Sequence, residues 1–247
     1  MSLFVRWKQW RKRKRERDHP FCTAVVPAAG SASRMLGRDK LMEPLAGIPV
    51  LARTLMTLNG CPLIDEIVVV TREDLIVPVS QLCREYETSK ASKVVKGGET
   101  RTESVAIGLA NSAPEAELAA IHDGARPLVS QQVLFEVLTK AAEFHAAAPA
   151  VPLKDTVKRG QHHLVVETPD RDELFAVQTP QVFACDLIKG ALKRAVEEKW
   201  ALTDDCSAVE RLGMSVVLTE GAEENIKLTT PMDFALAEAI LEWREQG

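Results

Sequence analysis

The stretch Ala24-Val-Val-Pro-Ala-Ala-Gly-Ser-Ala-Ser-Arg-Met-Leu-Gly-Arg-Asp-Lys40 decides how the rest of the chain is read. It opens as a buried β-strand, the apolar run of Phe21, Ala24, Val25 and Val26. Proline has no N–H for a ladder, so the strand is expected to stop at Pro27. Only small residues follow, from Ala28 and Ala29 through Gly30 to Ser33. Small residues let backbone N–H groups approach a ligand closely, and successive N–H groups make an anion-binding concavity. Arg34, Arg38 and Lys40 add positive charge to the same loop. The stretch matches neither G-x-x-x-x-G-K-[ST] nor G-x-G-x-x-G. Alone it reads either as a polyphosphate cradle or as an ordinary loop with solvated cations.

Around this stretch lie 247 residues, 46% hydrophobic and 27% charged, enough to bury the core of one α/β domain or two small ones. A net charge of −4 argues against nucleic-acid binding by the body of the protein. No apolar run is long enough to span a bilayer. The five cysteines are scattered without C-x-x-C spacing, which points to buried free thiols in a reducing cytoplasm rather than disulfides or zinc. His162-His163 has no ligand-spaced partner and reads as an exposed loop.

Residues 1–20 stand apart. Arg6, Lys8, Arg11, Lys12, Arg13, Lys14, Arg15 and Arg17 follow or interleave with Leu3, Phe4, Trp7 and Trp10. Contact with anionic lipid or nucleic acid is one reading. A disordered basic extension ahead of a domain over 21–247 is the preferred one. No apolar region follows the charges as a signal peptide requires.

From Phe21 onward, strand patterns alternate with helical ones, the mark of a mostly parallel sheet with helices on both faces. Strands are expected at Glu66–Thr71, Ser92–Val95, Leu118–His122 and Ser215–Leu218. Helices are expected at Pro49–Asn59, Val77–Tyr86, Thr102–Asn111, Gln131–His145, Asp186–Lys199, Asp205–Arg211 and from Thr230 on. Between Pro152 and Gln178 the pattern changes to short alternating strands around Arg159-Gly160, a hairpin that projects from the fold.

Four further constellations carry chemistry. Gly97-Gly98 precedes Thr100 and Glu103 at capping-box spacing, so a helix N-terminus there presents N–H groups and the Ser104 hydroxyl. A plain capped turn explains the same residues. His122-Asp123-Gly-Ala-Arg126 ends an apolar strand, where ligands of open α/β sheets gather. An Asp there suits Mg²⁺ and an Arg suits a phosphate; an Asp–Arg pair ordering a turn is the competing reading. Lys227 is a lone cation between apolar residues on an expected short strand. Thr203-Asp204-Asp205 reads as a helix cap or as a second carboxylate near a metal.

Taken in order, the matching pieces are Val26-Pro-Ala-Ala-Gly30, Arg34-Met35, Lys40, Gly97-Gly98, Arg101, Ser104-Val105 and His122-Asp-Gly-Ala-Arg-Pro127. They continue with Lys154-Asp-Thr156, Arg171, Gln178-Thr-Pro-Gln181, Thr203-Asp-Asp205 and Asn225-Ile-Lys-Leu-Thr-Thr-Pro231. This set resembles the 2-C-methyl-D-erythritol 4-phosphate cytidylyltransferase family from about Cys22 to Trp243. The resemblance implies a Rossmann-like nucleotidyltransferase fold whose β-arm, about residues 152–178, clasps a second subunit in a homodimer. It implies Mg²⁺-dependent attack of the sugar phosphate on the α-phosphorus of CTP. By the same resemblance Arg34 and Lys40 stabilise the transition state, and Lys227 and Arg171 hold the methylerythritol phosphate. Ala28, Ala29, Gly30, Gly97, Gly98, Ser104 and Asp123 bind the nucleotide, with Asp123 also at the metal. Arg126, Thr156 and Thr179 surround the second substrate, and Thr156 and Arg171 serve the neighbouring subunit. Ala32 stands where many members have a second glycine, and Asp39-Lys40-Leu41 where many have Pro-Lys-Gln. The loop from Met35 to Lys40 is a residue shorter than in some members.

Two other functions fit parts of the pattern. Ribitol 5-phosphate cytidylyltransferases share a similar Lys227 segment and Thr-Pro-Gln, although Ala125 and Lys154-Asp-Thr156 resemble the isoprenoid enzyme more. A catalytically silent protein acting through its basic extension is the other, and the retained Arg34, Lys40, Asp123 and Lys227 argue against it.

Overall fold

The computed structural model describes residues 18–29 and 39–246. The basic extension up to residue 17, Gly30 and Arg34 lie outside the described residues.

The chain runs β1 (Cys22–Ala28), β2 (Pro44–Leu45), β3 (Ile48–Pro49), α1 (Val50–Gly60), β4 (Glu66–Thr71), α2 (Ile76–Glu85), β5 (Ala91–Lys96), α3 (Arg101–Ala110) and β6 (Leu118–Ile121). It continues with α4 (Gln131–Phe144), β7 (Ala146–Pro152), β8 (Arg159–Gln161), β9 (Leu164–Glu167), β10 (Phe175–Val177) and β11 (Gln181–Ala184). The last elements are α5 (Cys185–Glu197), α6 (Cys206–Glu210), β12 (Val217–Glu220) and α7 (Pro231–Gln246). An eight-stranded sheet has the order β10-β7-β11-β6-β1-β4-β5, with β12 added beside β7. The β6-β1-β4-β5 part is parallel, and β11 enters antiparallel between β6 and β7.

Alternation along the strands feeds two cores. Ala24, Val26, Ile67 and Val69 face α1, α2 and α4 through Leu51, Leu55, Leu82, Leu134 and Val137. Val25, Val68 and Val70 face α3, α5 and α6 through Val105, Leu109, Ile188, Leu192 and Val209. This is why the central strands read as continuous apolar runs: both faces are covered. At Gly108 on α3 a Cβ would fall 2.4 Å from Val25 Cγ1, so glycine sets how closely that helix approaches β1.

Four expectations are corrected. β1 does not stop at Pro27 but continues to Ala28, with Pro27 opposite Val70. On the other side the ladder to β6 ends at Val25 and Ile121. The Pro27 carbonyl accepts from Gly124 N–H on that side, so the missing proline N–H falls just past the end of β6 and the sheet loses no bond. The projecting hairpin turns at His162-His163, not at Arg159-Gly160. Both histidines have positive φ, 50° and 64°, as a two-residue primed turn requires. Lys227 lies on irregular backbone rather than a strand, and the last strand begins at Val217 instead of Ser215.

Candidate active site

The C-terminal ends of the parallel strands open onto a cleft of about 320 Å³. Ala28, Ala29, Lys40, Gly98, Arg101, Ser104, Asp123 and Lys227 line it. Residues far apart in the chain thus meet where β1 and β6 end, as open α/β sheets dictate.

On the β1 side, the small residues let other backbone come close. A Cβ on Gly97 would fall 2.7 Å from Ser104 Oγ and 3.0 Å from the Ala29 Cβ. Gly98 N–H donates to Ser104 Oγ at 3.2 Å. The Thr100–Glu103 capping box starts α3 as expected, which fixes Ser104 in its first turn. Lys40 enters the cleft at the far end of the opening loop and donates to the Leu228 carbonyl at 3.0 Å. Its neighbour Asp39 pairs with Arg72 at 2.9 Å and accepts from Leu41 N–H at 3.0 Å. That gives the Asp-Lys-Leu form of the loop its own anchor.

Asp123 is the centre of charge. Its Oδ1 accepts from Arg101 Nη2 at 3.2 Å, and its Oδ2 lies 2.7 Å from Lys227 Nζ. The same Arg101 Nη2 donates to Asp205 Oδ2 at 2.8 Å. Burial works to raise the Asp123 carboxyl, but Arg101 and Lys227 outweigh it and hold the group down at about 2. Asp205 has the same arginine and shifts the opposite way. Burial raises it, Arg101 offsets that only in part, and Asp123 and Asp204 repel its charge. Lys227 gives Asp123 a second cation, whereas Asp205 faces two neighbouring carboxylates.

The segment that carries Lys227 is pinned from both sides. Asn225 Nδ2 donates to the Thr179 carbonyl at 2.9 Å, and Leu228 N–H donates to the Ala125 carbonyl at 2.9 Å. Asp233 caps α7 by accepting from Thr229 and Thr230 N–H. Lys227 therefore projects from a short span held at both ends, although its side chain is 42% exposed.

Arg126 and Thr179 lie beside the cleft rather than on its lining. Arg126 Nη1 donates to the Asn225 carbonyl at 2.5 Å, while its buried Nε has no partner among the described residues. Burial lowers the Arg126 guanidinium, with Asp123 pulling the other way. Thr179 Oγ1 accepts from the Asp123 N–H at 3.1 Å. His122 is wholly buried, and burial pushes its imidazole down to about 4. Thr156 and Arg171 lie on the exposed arm, away from the cleft lining, with Arg171 Nη1 donating to the Lys154 carbonyl at 3.0 Å.

Arg101 and Gln181 stand in the sequence motifs without a role that local pattern could assign. Gln181 Oε1 accepts from the Asp205 and Cys206 N–H groups, which places the Asp205 carboxylate against Arg101. The signal was there in Arg101: a cation in the first turn of a helix opposes the macrodipole, so it needs anionic partners nearby. The helix-cap reading of Asp204 holds, because its Oδ1 accepts from Ser207 N–H. Asp205 is the second carboxylate of the cluster. Among the described residues no group of three or more His, Cys, Asp and Glu is arranged to hold a metal.

The sequence model of the 2-C-methyl-D-erythritol 4-phosphate cytidylyltransferase family matches residues 22–243. A protein of that name from Halalkalibacterium halodurans is 44% identical over 225 residues, covering 91% of this chain and 98% of that protein. One from Symbiobacterium thermophilum is 43% identical, over 89% of this chain and 92% of that protein. The crystal structure of 4-diphosphocytidyl-2C-methyl-D-erythritol synthase from Anaerococcus prevotii superposes with a TM-score of 0.81 at 32% identity. It covers 90% of this chain and 96% of that one. The 2-C-methyl-D-erythritol 4-phosphate cytidylyltransferase of Thermus thermophilus superposes at 0.75 with 29% identity, over 90% and 99% of the two chains. This chain belongs to the 2-C-methyl-D-erythritol 4-phosphate cytidylyltransferase family.

Proposed function

We propose that the cleft moves a cytidylyl group from CTP to 2-C-methyl-D-erythritol 4-phosphate and releases pyrophosphate, a step of non-mevalonate isoprenoid synthesis. A phosphate oxygen of the sugar phosphate forms a bond to the α-phosphorus, and the bond from that phosphorus to the leaving pyrophosphate breaks. The nucleophile is already an anion, so the site needs no strong base. Its task is to bring anions together and to stabilise charge in an in-line transition state. The observation that carries this reading is the convergence of Lys40, Arg101 and Lys227 on one cleft beside the small-residue end of β1. Preorganised cations of this kind are an efficient way to stabilise phosphoryl transfer.

In this reading Ala28, Ala29, Gly97, Gly98 and Ser104 receive the nucleotide, and Lys40 the triphosphate. Gly30 and Arg34 carry the same roles by resemblance. Lys227 holds the methylerythritol phosphate, with Arg126 and Thr179 close by beside the cleft. Arg171 and Thr156 reach a second subunit's cleft. The exposed face of the arm supports that homodimer, since Leu164 and Val165 are 72% and 64% exposed on a two-stranded hairpin. Isolated apolar hairpins of this size gain stability by packing on a partner.

Mg²⁺ fits the donor chemistry in one form. Asp123 is an ionised carboxylate at the edge of the cleft, and Asp205 is held off by Arg101. One protein carboxylate suits a Mg²⁺ that keeps its waters and is carried mainly by substrate phosphates. Such an ion supplies charge neutralisation between the phosphate groups. The five buried free cysteines support a reducing, cytoplasmic setting. Among the described residues no helix is long and apolar enough to cross a membrane.

Parallel assays of pyrophosphate release with CTP and either methylerythritol phosphate or ribitol 5-phosphate test the reading. Faster turnover of methylerythritol phosphate is expected, and faster turnover of ribitol 5-phosphate overturns it.

A further inference from the structure

Arg72 lies outside the cleft lining and takes no part in the chemistry above, yet a single residue joins it to Lys40. Lys40 sits in a tight turn closed by the Met42 N–H, which donates to the Asp39 carbonyl at 2.9 Å. The Asp39 side chain reinforces that turn, its Oδ1 accepting from Leu41 N–H at 3.0 Å. An aspartate that accepts from the backbone two residues on fixes the residue between them, here Lys40. The other carboxylate oxygen, Oδ2, accepts from Arg72 Nη1 at 2.9 Å. Arg72 directly follows the wholly buried strand β4, and its Nε and Nη2 donate as a fork to Asp74 at 3.2 Å each. That leaves Nη1 for Asp39. The Asp39 side chain is only 14% exposed, and a carboxylate so far out of water needs a cation. A lysine ammonium is a point charge on a flexible stem, so its aim depends on how firmly its backbone is held.

We propose that Arg72 is a positioning residue: by holding and neutralising Asp39 it locks the turn that directs the Lys40 ammonium at the triphosphate of CTP. This rests on the assignment of Lys40 to the triphosphate and deepens it. The lock runs from the end of β4 through Arg72 and Asp39 to the turn, so the central sheet supports a cation carried on irregular backbone. Without Arg72 the Asp39 carboxylate swings toward solvent, and the turn loses its side-chain bond. An uncancelled negative charge then also stands beside the site for a polyanion, where it repels what Lys40 attracts. Both effects fall on the nucleotide side of the cleft, whereas Lys227 is pinned through Asn225 and Leu228 and does not depend on Arg72.

Kinetics and melts of the full chain separate positioning from packing. Arg72→Ala is expected to lower kcat/KM for CTP about tenfold, below the roughly hundredfold that an outright misplacement costs, with KM for methylerythritol phosphate unchanged. Tm is expected to fall by no more than about 4 °C, because both side chains of the pair reach solvent. Arg72 acts through Lys40, so the two substitutions should not add. Arg72→Ala together with Lys40→Ala is expected to be no slower than Lys40→Ala alone. Asp39→Asn keeps the acceptor for Leu41 N–H and needs no cation, so adding it to Arg72→Ala is expected to restore most of the loss. A merely structural role gives equal losses for both substrates, additive losses with Lys40→Ala and no rescue by Asp39→Asn; any one of these overturns the proposal. So does an Arg72→Ala protein as active as its parent when Lys40→Ala is slow. A Lys40→Ala protein as active as its parent instead overturns the assignment of Lys40 to the triphosphate, and the proposal falls with it.

Discussion

The Lys227 ammonium lies 2.7 Å from the Asp123 carboxylate, and Asp123 is held from its other oxygen by Arg101. The cation assigned to the second substrate thus rests on the carboxylate assigned to the metal. Incoming phosphate and cation would exchange these partners without creating an unpaired charge. Lys227→Ala is expected to lower turnover on the order of a hundredfold, as for loss of one transition-state donor. Its effect on stability should stay within about 1 kcal/mol, because the side chain is half-exposed and solvent screens the pair. Pyrophosphate release and a thermal melt separate the two. Unchanged activity would remove Lys227 from the site.

Arg101 joins two carboxylates, one of which, Asp205, is only 1% exposed. Arg101→Ala leaves Asp205 without its cation in a dry position, where breaking a pair is far more costly than at the surface. Arg101 is itself a third exposed, so a loss on the order of 2 kcal/mol is expected rather than the full buried value. For a chain of this size that is roughly 4–8 °C in Tm. Asp205→Asn together with Arg101→Ala should recover part of it, because the uncompensated charge is gone. A double variant no more stable than Arg101→Ala would refute the buried-charge account.

His122 and Asp123 predict two separate acid limbs in stability. The folded imidazole sits at about 4 against an ordinary 6.5, so the unfolded chain takes up its proton first as pH falls. That contribution is fully present above about 6.5 and is lost progressively as pH falls to 4, roughly 3 kcal/mol at full extent. Asp123 at about 2 against 3.8 contributes above 3.8 and loses its contribution only below that. Melts of the parent and of His122→Asn between pH 7 and 4, about the histidine range, should show a falling Tm in the parent and a flatter line in the variant. Parallel lines would mean that His122 does not report this limb.

Gly97 and Gly108 are both tight, but in different places. Gly97→Ala drives a Cβ to 2.7 Å from Ser104 Oγ and 3.0 Å from the Ala29 Cβ, beside the cleft where the nucleotide is proposed to bind. It should raise KM for CTP more than it lowers Tm. Gly108→Ala drives a Cβ into Val25 and Val70 beneath the sheet, an overpacking of about 1–3 kcal/mol. It should lower Tm with KM for CTP unchanged. The reverse pattern in either variant would contradict the packing described.

The arm predicts complementation between subunits. Arg171→Ala and Lys227→Ala chains, each weak alone, should regain activity when mixed, because one cleft in a heterodimer keeps both side chains. No gain on mixing would mean that Arg171 does not act across the interface. Leu164→Glu should weaken the proposed dimer in sedimentation, since it puts a charge on the most exposed apolar position of the hairpin.

By itself the sequence determined the alternation of strands and helices, because strands covered on both faces must be apolar along their covered length, and Ile67–Val70 and Leu118–Ile121 are. It also determined the caps: Thr100 with Glu103, and Thr230 with Asp233, are local interactions written within four residues. The residues of the cleft were legible as separate motifs at strand ends. Local reading failed where partners are remote. Pro27 continues its strand because β6 happens to end beside it, which no rule about proline in isolation contains. Lys227 needs no strand, because Asn225 and Leu228 pin it to distant backbone. The roles of Arg101 and Asp205, and the opposite shifts of Asp123 and Asp205, come from a meeting of α3, β6 and α6 that only the folded sheet arranges. Electrostatics falls off with distance in space, not along the chain, so only tertiary structure brings Lys40, Asp123 and Lys227 together on one cleft.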